Sequence, residues 1–313
     1  MKHLDISIIA PAHNEKENLK LFIEKTKKAV AKITKNYEII IVDDGSTDNS
    51  LELLKKIKKN TPKLKIIRLR RHSGQTAGIM AGFSFAKGNI VVVLDADLQQ
   101  DPASINKLVS PILKGQADVA SGRRQKRQHS LLIRLVAVIE YFLNKWFLKI
   151  DIKDTAVSPN AYKKDALKDL NLYGEMHRFL VPILHWRGFK IIEVNVPHFK
   201  RHAGKSKYKP SKAVRGFLDL IIIKFWQDFS ARPIHFFGNI GLILIFLGVA
   251  LGIEEAVRKL VFHISIYNRT LPLLAAFLTI IGIQFLILGI LADILIKIYY
   301  KKTPAYQIEA VID

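Results

Sequence analysis

The segment from Ile90 to Pro102 reads IVVVLDADLQQDP, and it decides the fold. Its first five residues are apolar and mostly β-branched, and they run directly into Asp95-Ala96-Asp97. An unbroken apolar run of this length is typical of a strand buried on both faces, as in a parallel sheet. Active sites of open α/β sheets form at the carboxyl ends of such strands. Two carboxylates there suit a hard divalent cation that carries phosphate oxygens.

Strand and helix patterns alternate with short connections through residue 120. This alternation predicts an α/β domain with a parallel sheet and helices on both faces. Pro11 is expected to end the first strand, and Asn14 to cap a helix that runs to about Lys35. The other predicted strands cover residues 6–10, 37–42 and 64–69, with one more near residues 118–120.

A second acidic pair, Asp43-Asp44, ends another predicted strand. Taken alone, the sequence DDGSTD is also typical of a turn and a helix cap. Strands that end side by side would bring this pair and Asp95-Ala96-Asp97 into one crevice. A cation and hydrogen-bonding groups of a nucleotide would relieve the repulsion between the carboxylates.

Three glycines recur at a spacing of four residues on the helix that precedes Ile90. They are Gly74, Gly78 and Gly82. We interpret them as a packing face against the sheet rather than a phosphate cradle, because neither a Walker A nor a GxGxxG pattern is present.

The charge balance predicts an anionic partner. The 313 residues include 49 Lys and Arg against 27 Asp and Glu, a formal charge of +22, and no cysteine. Nucleic acid is the weaker choice, because no zinc-finger, RRM or basic-zipper pattern is present. Basic residues cluster at 121–127, predicted to follow the fifth strand, and at 200–209. Membrane lipid and phosphorylated substrates are therefore the expected partners.

The C-terminal third has the composition of a membrane domain. Residues 234–253 and 271–296 are each apolar for longer than the roughly 18 residues typical of a membrane span. A pair of helices buried in a soluble core is the alternative, but such helices usually show a polar face. Lys and Arg are dense before the first span and after the second. This bias favours a multi-pass protein of the cytoplasmic membrane, with both ends and the catalytic domain in the cytoplasm.

Two further stretches, near residues 130–150 and 212–230, are amphipathic and rich in aromatic residues. Their basic residues favour helices that lie in the membrane interface, although ordinary core helices are the alternative. We favour the interfacial position for the second stretch, which leads directly into the first span.

Six blocks in this order resemble family 2 glycosyltransferases, in particular the polyprenyl-phosphate glycosyltransferases, which include dolichyl-phosphate mannose synthases and their bacterial glucosyl relatives. The blocks are PAHNEKEN, VDDGSTD, LDADLQQDP, SGRR, YGEMHRFL and RHAGKSKY. The resemblance covers about residues 5–230, and the two spans are similar to those of the bacterial glucosyl type. It implies a GT-A type catalytic domain at 1–211, an interfacial helix at 212–230, a transmembrane domain at 231–300 and a cytoplasmic tail at 301–313.

The resemblance also implies the site residues. The nucleotide-binding positions are Pro11, Asn14, Glu15, Asp43, Asp44 and Asp95. The metal positions, for Mg²⁺ or Mn²⁺, are Asp95, Asp97 and Gln99. The positions that hold acceptor or donor phosphate are Arg123, Arg134, Arg201, Ser206 and Lys207. Asp97, Asp154, Arg123 and Arg201 form the catalytic set. The block around Glu175, His177 and Arg178 flanks the site, and His72 stands where the family more often has asparagine.

The implied reaction is the inverting transfer of a hexose from a nucleotide sugar to a polyprenyl phosphate, either undecaprenyl or dolichyl phosphate. This acceptor carries about −1.5 to −2 charges near neutral pH, so its oxygen needs little deprotonation. Asp154, which matches a position near the donor sugar, is therefore expected to orient the sugar. The two-span tail favours a UDP-hexose such as UDP-glucose, with GDP-mannose second.

Two other functions compete with this interpretation. A processive polysaccharide synthase would carry a QxxRW block and more spans, and neither is visible. A non-catalytic module that binds anionic lipid would explain the basic loops but leaves the acidic motifs at the strand ends without a role. The sequence leaves the oligomeric state open, and a homo-oligomer is one of the states that it allows.

Overall fold

A computed structural model describes residues 5–124, 159–197, 199, 229, 232–263 and 270–300. The chain divides into two compact units, Met1–Ile221 and Ile222–Asp313. The predicted amphipathic stretches at 130–150 and 212–230 lie outside the described residues, apart from Phe229, and so does the tail at 301–313.

The first unit is built around a mostly parallel sheet, as the sequence predicts. In the described part of the chain this sheet has seven strands in the order β3-β2-β1-β4-β6-β5-β7. β6 is antiparallel to both of its neighbours, and the other pairings are parallel. The strands are β1 Ile6–Ala12, β2 Tyr37–Asp43, β3 Leu64–Arg68, β4 Ile90–Val93, β5 Val119–Arg124, β6 Asn160–Lys163 and β7 Ile191–Val196.

Five helices accompany the sheet in the described part of the first unit. They are α1 Lys16–Val30, α2 Ser50–Lys59, α3 Gln75–Phe85, α4 Ile105–Leu113 and α5 Leu180–Trp186. Short 3-10 turns occur at Pro102–Ser104, Lys164–Leu167 and Met176–Phe179.

The central strands are buried because helices cover both faces of the sheet. Ile8 of β1 belongs to the core cluster that includes residues of α1 and α4. The next residue, Ile9, points to the opposite face, where a Cβ on Gly82 of α3 would collide with its side chain. A Cβ on Gly78 would lie 3.0 Å from the Cβ of Pro11. The packing role predicted for these two glycines is confirmed, whereas Gly74 is the N-cap of α3 at φ 92°.

Several predicted boundaries differ from the structure. β1 continues through Pro11 to Ala12, because Pro11 keeps the parallel register opposite Val42. The N-cap of α1 is Glu15, and Asn14 instead accepts a hydrogen bond from the Thr47 N–H at 2.8 Å. α1 ends at Val30 rather than near Lys35. The sequence prediction placed residues 121–124 after the fifth strand, but they belong to β5 and pair with β7.

The second unit contains two long apolar helices, α6 Ile234–Leu260 and α7 Leu271–Tyr300. Each contains an 18-residue stretch of high mean hydropathy, 2.4 in the first and 2.5 in the second, so both are candidate membrane spans by length and composition. Close contact between them requires residues without side chains. A Cβ on Gly241 would lie 2.7 Å from the carbonyl oxygen of Gly282, and one on Gly282 would lie 2.6 Å from that of Gly241. Small residues allow this approach of two helix backbones in a membrane.

A buried carboxylate ties the amino ends of the strands together, away from their carboxyl ends. Glu38 of β2 accepts hydrogen bonds from the Ser7 hydroxyl and the Lys87 N–H, both at 2.7 Å. The Lys65 ammonium group lies 3.0 Å from its second oxygen. Burial favours the neutral acid, but these hydrogen bonds and the Lys65 charge outweigh it, so the pKa of Glu38 lies below its usual value of 4.5.

We expect Glu38→Gln to lower the free energy of unfolding by about 2 kcal/mol near neutral pH. Because the pKa is lower in the folded state than in the unfolded state, the stabilisation is fully present above pH 4.5. It is lost as the pH falls through the folded-state pKa. Thermal unfolding of the detergent-solubilised chain, compared between neutral and acidic pH, measures this loss. Glu24→Gln, on the exposed side of α1, is the control. If Glu38→Gln lowers the stability by the same amount at neutral and at acidic pH, the lowered pKa of Glu38 does not account for its contribution.

Candidate active site

The carboxyl ends of β1, β2 and β4 lie at one edge of the sheet. β1 pairs in parallel with β2 on one side and with β4 on the other, so the strand order reverses beside β1. A reversal of this kind opens a crevice outside the carboxyl ends of the strands, where open α/β sheets bind their ligands. The segments that follow these strands carry the predicted site residues, at 13–15, 44–48 and 94–101.

Two glutamines hold the Asp95 carboxylate, one on each oxygen. Gln75, the first residue of α3, donates to Oδ1 at 3.1 Å. Gln100 donates to Oδ2 at 2.7 Å, and its own amide oxygen accepts from the Asp95 N–H at 3.1 Å. Both donors are neutral amides, so they orient the carboxylate without neutralising its charge.

Asp97 lies in a strained turn. Its Oδ1 accepts a hydrogen bond from the Gln99 N–H at 3.0 Å. Between them, Leu98 is buried and adopts a φ of 62°, a left-handed conformation that is unfavourable for a leucine. Such a residue costs about 1–3 kcal/mol and persists where the surrounding structure enforces it, often at a functional site.

The two aspartates after β2 have different environments. Asp43 is fully buried; its Oδ1 accepts from the Ser46 N–H at 3.1 Å. Its Oδ2 has no hydrogen-bond partner within the described part of the chain. Asp44 anchors a loop, because its oxygens accept from the Ser73 N–H at 2.7 Å and the Gly74 N–H at 2.9 Å. The structure thus gives Asp44 a loop-anchoring role that the sequence did not predict.

The residues after β1 lie against the turn that follows β2. The Asn14 N–H donates to the Ser46 hydroxyl at 3.0 Å, and Glu15 accepts from the Asn18 amide at 2.7 Å. Asp48 accepts from the Lys16 N–H at 3.1 Å and from the Ser50 hydroxyl. Burial of Asp48 opposes ionisation, but these hydrogen bonds outweigh it and hold the pKa of Asp48 below its usual value.

His72 lies in the loop between β3 and α3, at the same edge of the sheet. Its Nδ1 is 2.8 Å from Oδ2 of Asp44. Its ring stacks on that of His13 with centroids 4.0 Å apart and planes inclined by 26°. The sequence alone gave no signal of this contact.

Thr76 connects α3 to the GEMHRF segment. Its hydroxyl lies 2.5 Å from the Gly174 carbonyl oxygen and 2.6 Å from Nδ1 of His177. A carbonyl oxygen can only accept, so the single hydroxyl proton of Thr76 is donated to Gly174. The ring Nδ1–H of His177 then donates to the Thr76 hydroxyl oxygen. Residues 72–76 therefore contact Asp44, Asp95 and His177 in succession.

The structure also describes two of the predicted arginines, Arg123 and Arg178. Arg123, half-buried, is in β5 opposite Asn195. Arg178 forms an ion pair with Glu175, Nε to Oε2 at 3.3 Å. The predicted roles of the following residues concern positions outside the described part of the chain: Arg134, Asp154, Arg201, Ser206 and Lys207.

The sequence did not single out three residues of this site. Gln100 belongs to the quoted LDADLQQDP block, so the sequence shows that it is close to Asp95 along the chain. The sequence does not show that the two side chains form hydrogen bonds. Gln75 and Thr76 are separated from their partners by 20 and 101 residues, respectively. Contacts across such distances leave no local periodic signal.

Solved structures share this fold. Mannosyl-3-phosphoglycerate synthase from Rubrobacter xylanophilus aligns with a TM-score of 0.59 at 14% identity, covering 72% of this chain and 75% of that one. Glucosyl-3-phosphoglycerate synthase from Mycobacterium tuberculosis, solved with Mn²⁺, uridine diphosphate and glucosyl-3-phosphoglycerate, aligns with a TM-score of 0.55 at 17% identity. That alignment covers 71% of this chain and 80% of that one. At these identities the likeness shows the fold alone, which is the predicted GT-A type.

Sequence relatives extend over almost the whole chain. Dodecaprenyl-phosphate galacturonate synthase from Rhizobium johnstonii is 30% identical over 100% of this chain and 94% of its own length. Undecaprenyl-phosphate 4-deoxy-4-formamido-L-arabinose transferase from Yersinia enterocolitica is 32% identical over 98% of this chain and 93% of its own. Residues 7–170 match the model of glycosyl transferase family 2. The chain belongs to this family and is a glycosyltransferase, so the resemblance carried by the six sequence blocks is confirmed.

We expect Thr76→Val to lower the free energy of unfolding by about 1–3 kcal/mol, because the buried His177 ring and the Gly174 carbonyl lose this partner. Thermal unfolding of the solubilised chain measures the change. Ser84→Ala removes an exposed hydroxyl from the same helix and should leave stability almost unchanged. If Thr76→Val is as stable as the wild type, the hydrogen bond between Thr76 and His177 does not contribute to the free energy of unfolding.

Proposed function

We propose that the protein transfers a hexose from a nucleotide sugar to a polyprenyl phosphate, with inversion at the anomeric carbon. The observation that carries this proposal is the 30% identity, over the full chain, to an enzyme named for its action on dodecaprenyl phosphate. Aspartates at the carboxyl ends of β2 and β4 support it, because they stand where an open α/β sheet binds its ligand. A UDP-hexose such as UDP-glucose is the first candidate donor, and GDP-mannose is the second.

The DAD turn fits a hard divalent cation, either Mg²⁺ or Mn²⁺. The proposed ligands of the cation are the carboxylates of Asp95 and Asp97 and the side-chain amide oxygen of Gln99, all of them oxygen atoms. No group of three His, Cys, Asp or Glu side chains suited to a metal occurs among the described residues. This agrees with Mg²⁺, which is usually bound by one or two carboxylates, with substrate phosphates and water completing its shell. When bound, the cation would neutralise charge on the leaving diphosphate.

The nucleotide would lie at the ends of β1 and β2. Pro11, Asn14, Glu15 and Asp43 are the residues that we propose for the base and ribose, with Asp95 near the diphosphate. The unpartnered Oδ2 of buried Asp43 supports this placement, because a buried acceptor without a hydrogen bond calls for an explanation such as a ligand group. Asp44 would act indirectly, by holding the loop at residues 72–74 beside the nucleotide.

The chemistry requires positioning rather than a strong base. An oxygen of the acceptor phosphate would form a bond to the anomeric carbon while the bond from that carbon to the diphosphate breaks. Because the acceptor oxygen is already charged, guanidinium, ammonium and hydroxyl groups would hold it in line by donating hydrogen bonds. We assign this role to Arg123, Arg134, Arg201, Ser206 and Lys207. Asp154 would orient the donor sugar.

The membrane would deliver the acceptor. We propose that α6 and α7 cross the cytoplasmic membrane and that the catalytic domain lies on its cytoplasmic side. The distribution of basic residues supports this orientation, because the last turn of α6 and the connection to α7 carry only Arg258, Lys259 and Arg269. The stretch at residues 200–212 before the first span is much more basic.

We expect Asp97→Asn to reduce transfer by about 100-fold or more, because it removes a charged ligand from the cation while membrane insertion persists. The assay incubates purified protein with labelled UDP-glucose, UDP-galacturonate or GDP-mannose and a polyprenyl phosphate, then measures label in the organic phase. Chelation should abolish transfer by the wild type, and Mg²⁺ or Mn²⁺ should restore it.

Asp101→Asn is the matched control for this experiment. Asp101 lies in the same segment, and its side chain accepts a hydrogen bond from the Ala103 N–H at 3.0 Å as the cap of a 3-10 turn. Asparagine can cap in the same way, so activity should remain close to that of the wild type. Near-normal turnover by Asp97→Asn would contradict the assignment of Asp97 as a metal ligand. If no label enters the organic phase, the proposal that the acceptor is a polyprenyl phosphate is wrong.

A further inference from the structure

The stacked imidazoles of His13 and His72 lie at the edge of the sheet where β1 and β3 end. Both rings contact Asp44 but through different groups. Nδ1 of His72 lies 2.8 Å from the Asp44 carboxylate, and Nδ1 of His13 lies 2.7 Å from the Asp44 carbonyl oxygen. The same carboxylate accepts the Ser73 and Gly74 N–H groups, so the ring of His72 is attached to a loop that is itself anchored.

These contacts determine which ring nitrogens carry hydrogen. Carboxylate and carbonyl oxygens only accept, so Nδ1 must be the donor in each ring. In the neutral imidazole the remaining nitrogen, Nε2, is then an acceptor. For His13 this acceptor faces the Asn14 amide nitrogen at 3.4 Å. For His72 it belongs to a side chain that is 60% exposed.

The ring of His72 is preorganised for an incoming ligand. The hydrogen bond to Asp44 and the stacking on His13 restrict its side-chain rotation before any ligand binds. Little further conformational entropy is therefore lost when Nε2 accepts a hydrogen bond. The neighbouring Asp43 is buried and has an unpartnered oxygen in the described part of the chain, which supports a ligand subsite at this end of the crevice.

We infer that His72 selects the nucleobase of the donor, because its Nε2 accepts a hydrogen bond from a ring N–H of the base. This inference rests on the proposed function and deepens it. Uracil offers such a hydrogen at N3, and guanine offers one at N1. Cytosine and adenine carry an acceptor at the corresponding ring nitrogen, so the two lone pairs would face each other. The site is therefore selective for uridine or guanosine diphosphates over cytidine and adenosine diphosphates.

The test is calorimetric titration of the full chain in detergent, with Mn²⁺, against UDP, GDP, CDP and ADP. The dissociation constant of UDP or GDP should be lower than those of CDP and ADP by a factor of about ten or more. A factor of about ten corresponds to the free energy of one well-placed hydrogen bond. His72→Ala should weaken binding of the preferred nucleotide about tenfold and leave CDP and ADP almost unchanged. Because His72 is exposed, this variant should fold, and its thermal unfolding verifies that.

Arg70→Ala is the matched control in the same loop. This substitution removes an exposed charge and leaves both imidazole rings in the protein. It should weaken all four nucleotides by a similar factor and preserve their ratios. Equal binding of all four by the wild type, tightest binding of CDP or ADP, or uniform weakening by His72→Ala would overturn the role of His72 and leave the proposed function standing. Failure of all four to bind would overturn both.

Discussion

The carboxylate of Asp44 is the contact on which the rest of the site depends. By accepting the Ser73 and Gly74 N–H groups, it sets where α3 begins. The next two residues of the chain then meet the Asp95 carboxylate and the His177 ring. One anchored loop therefore determines the relative positions of three segments that follow different strands. Charge-assisted hydrogen bonds of this kind are stronger than neutral ones.

Negative charge is concentrated at this rim, and the fold tolerates it by using neutral partners. Backbone N–H groups and glutamine amides hold the aspartates in place while leaving their charge available. This arrangement leaves uncompensated negative charge at the crevice, which favours the binding of a cation there. The left-handed Leu98 between Asp97 and Gln99 belongs to the same pattern, because strain is retained where geometry matters for binding.

The second unit follows a different packing rule. Two helices that span a membrane have no hydrophobic driving force to associate, so close contact between such helices depends on small residues. Glycines of α6 and α7 bring carbonyl oxygens and Cα atoms together at positions where any side chain would collide. The large apolar residues, Phe246 and Leu273 among them, face outward, each 73% exposed. This distribution is the reverse of that in the first unit, where large apolar side chains fill the core.

The sequence by itself determined the alternation of strands and helices, the parallel sheet, the acidic strand ends and the two apolar spans. All of these follow from local patterns of polarity and β-branching. It misjudged the end of β1 at Pro11 and the place of Arg123, since register across a sheet depends on neighbouring strands. Only the tertiary structure decided that Asp44 anchors a loop, that glutamines hold Asp95 and that His72 stacks on His13. These contacts join residues that are distant in sequence, and no periodic pattern encodes them.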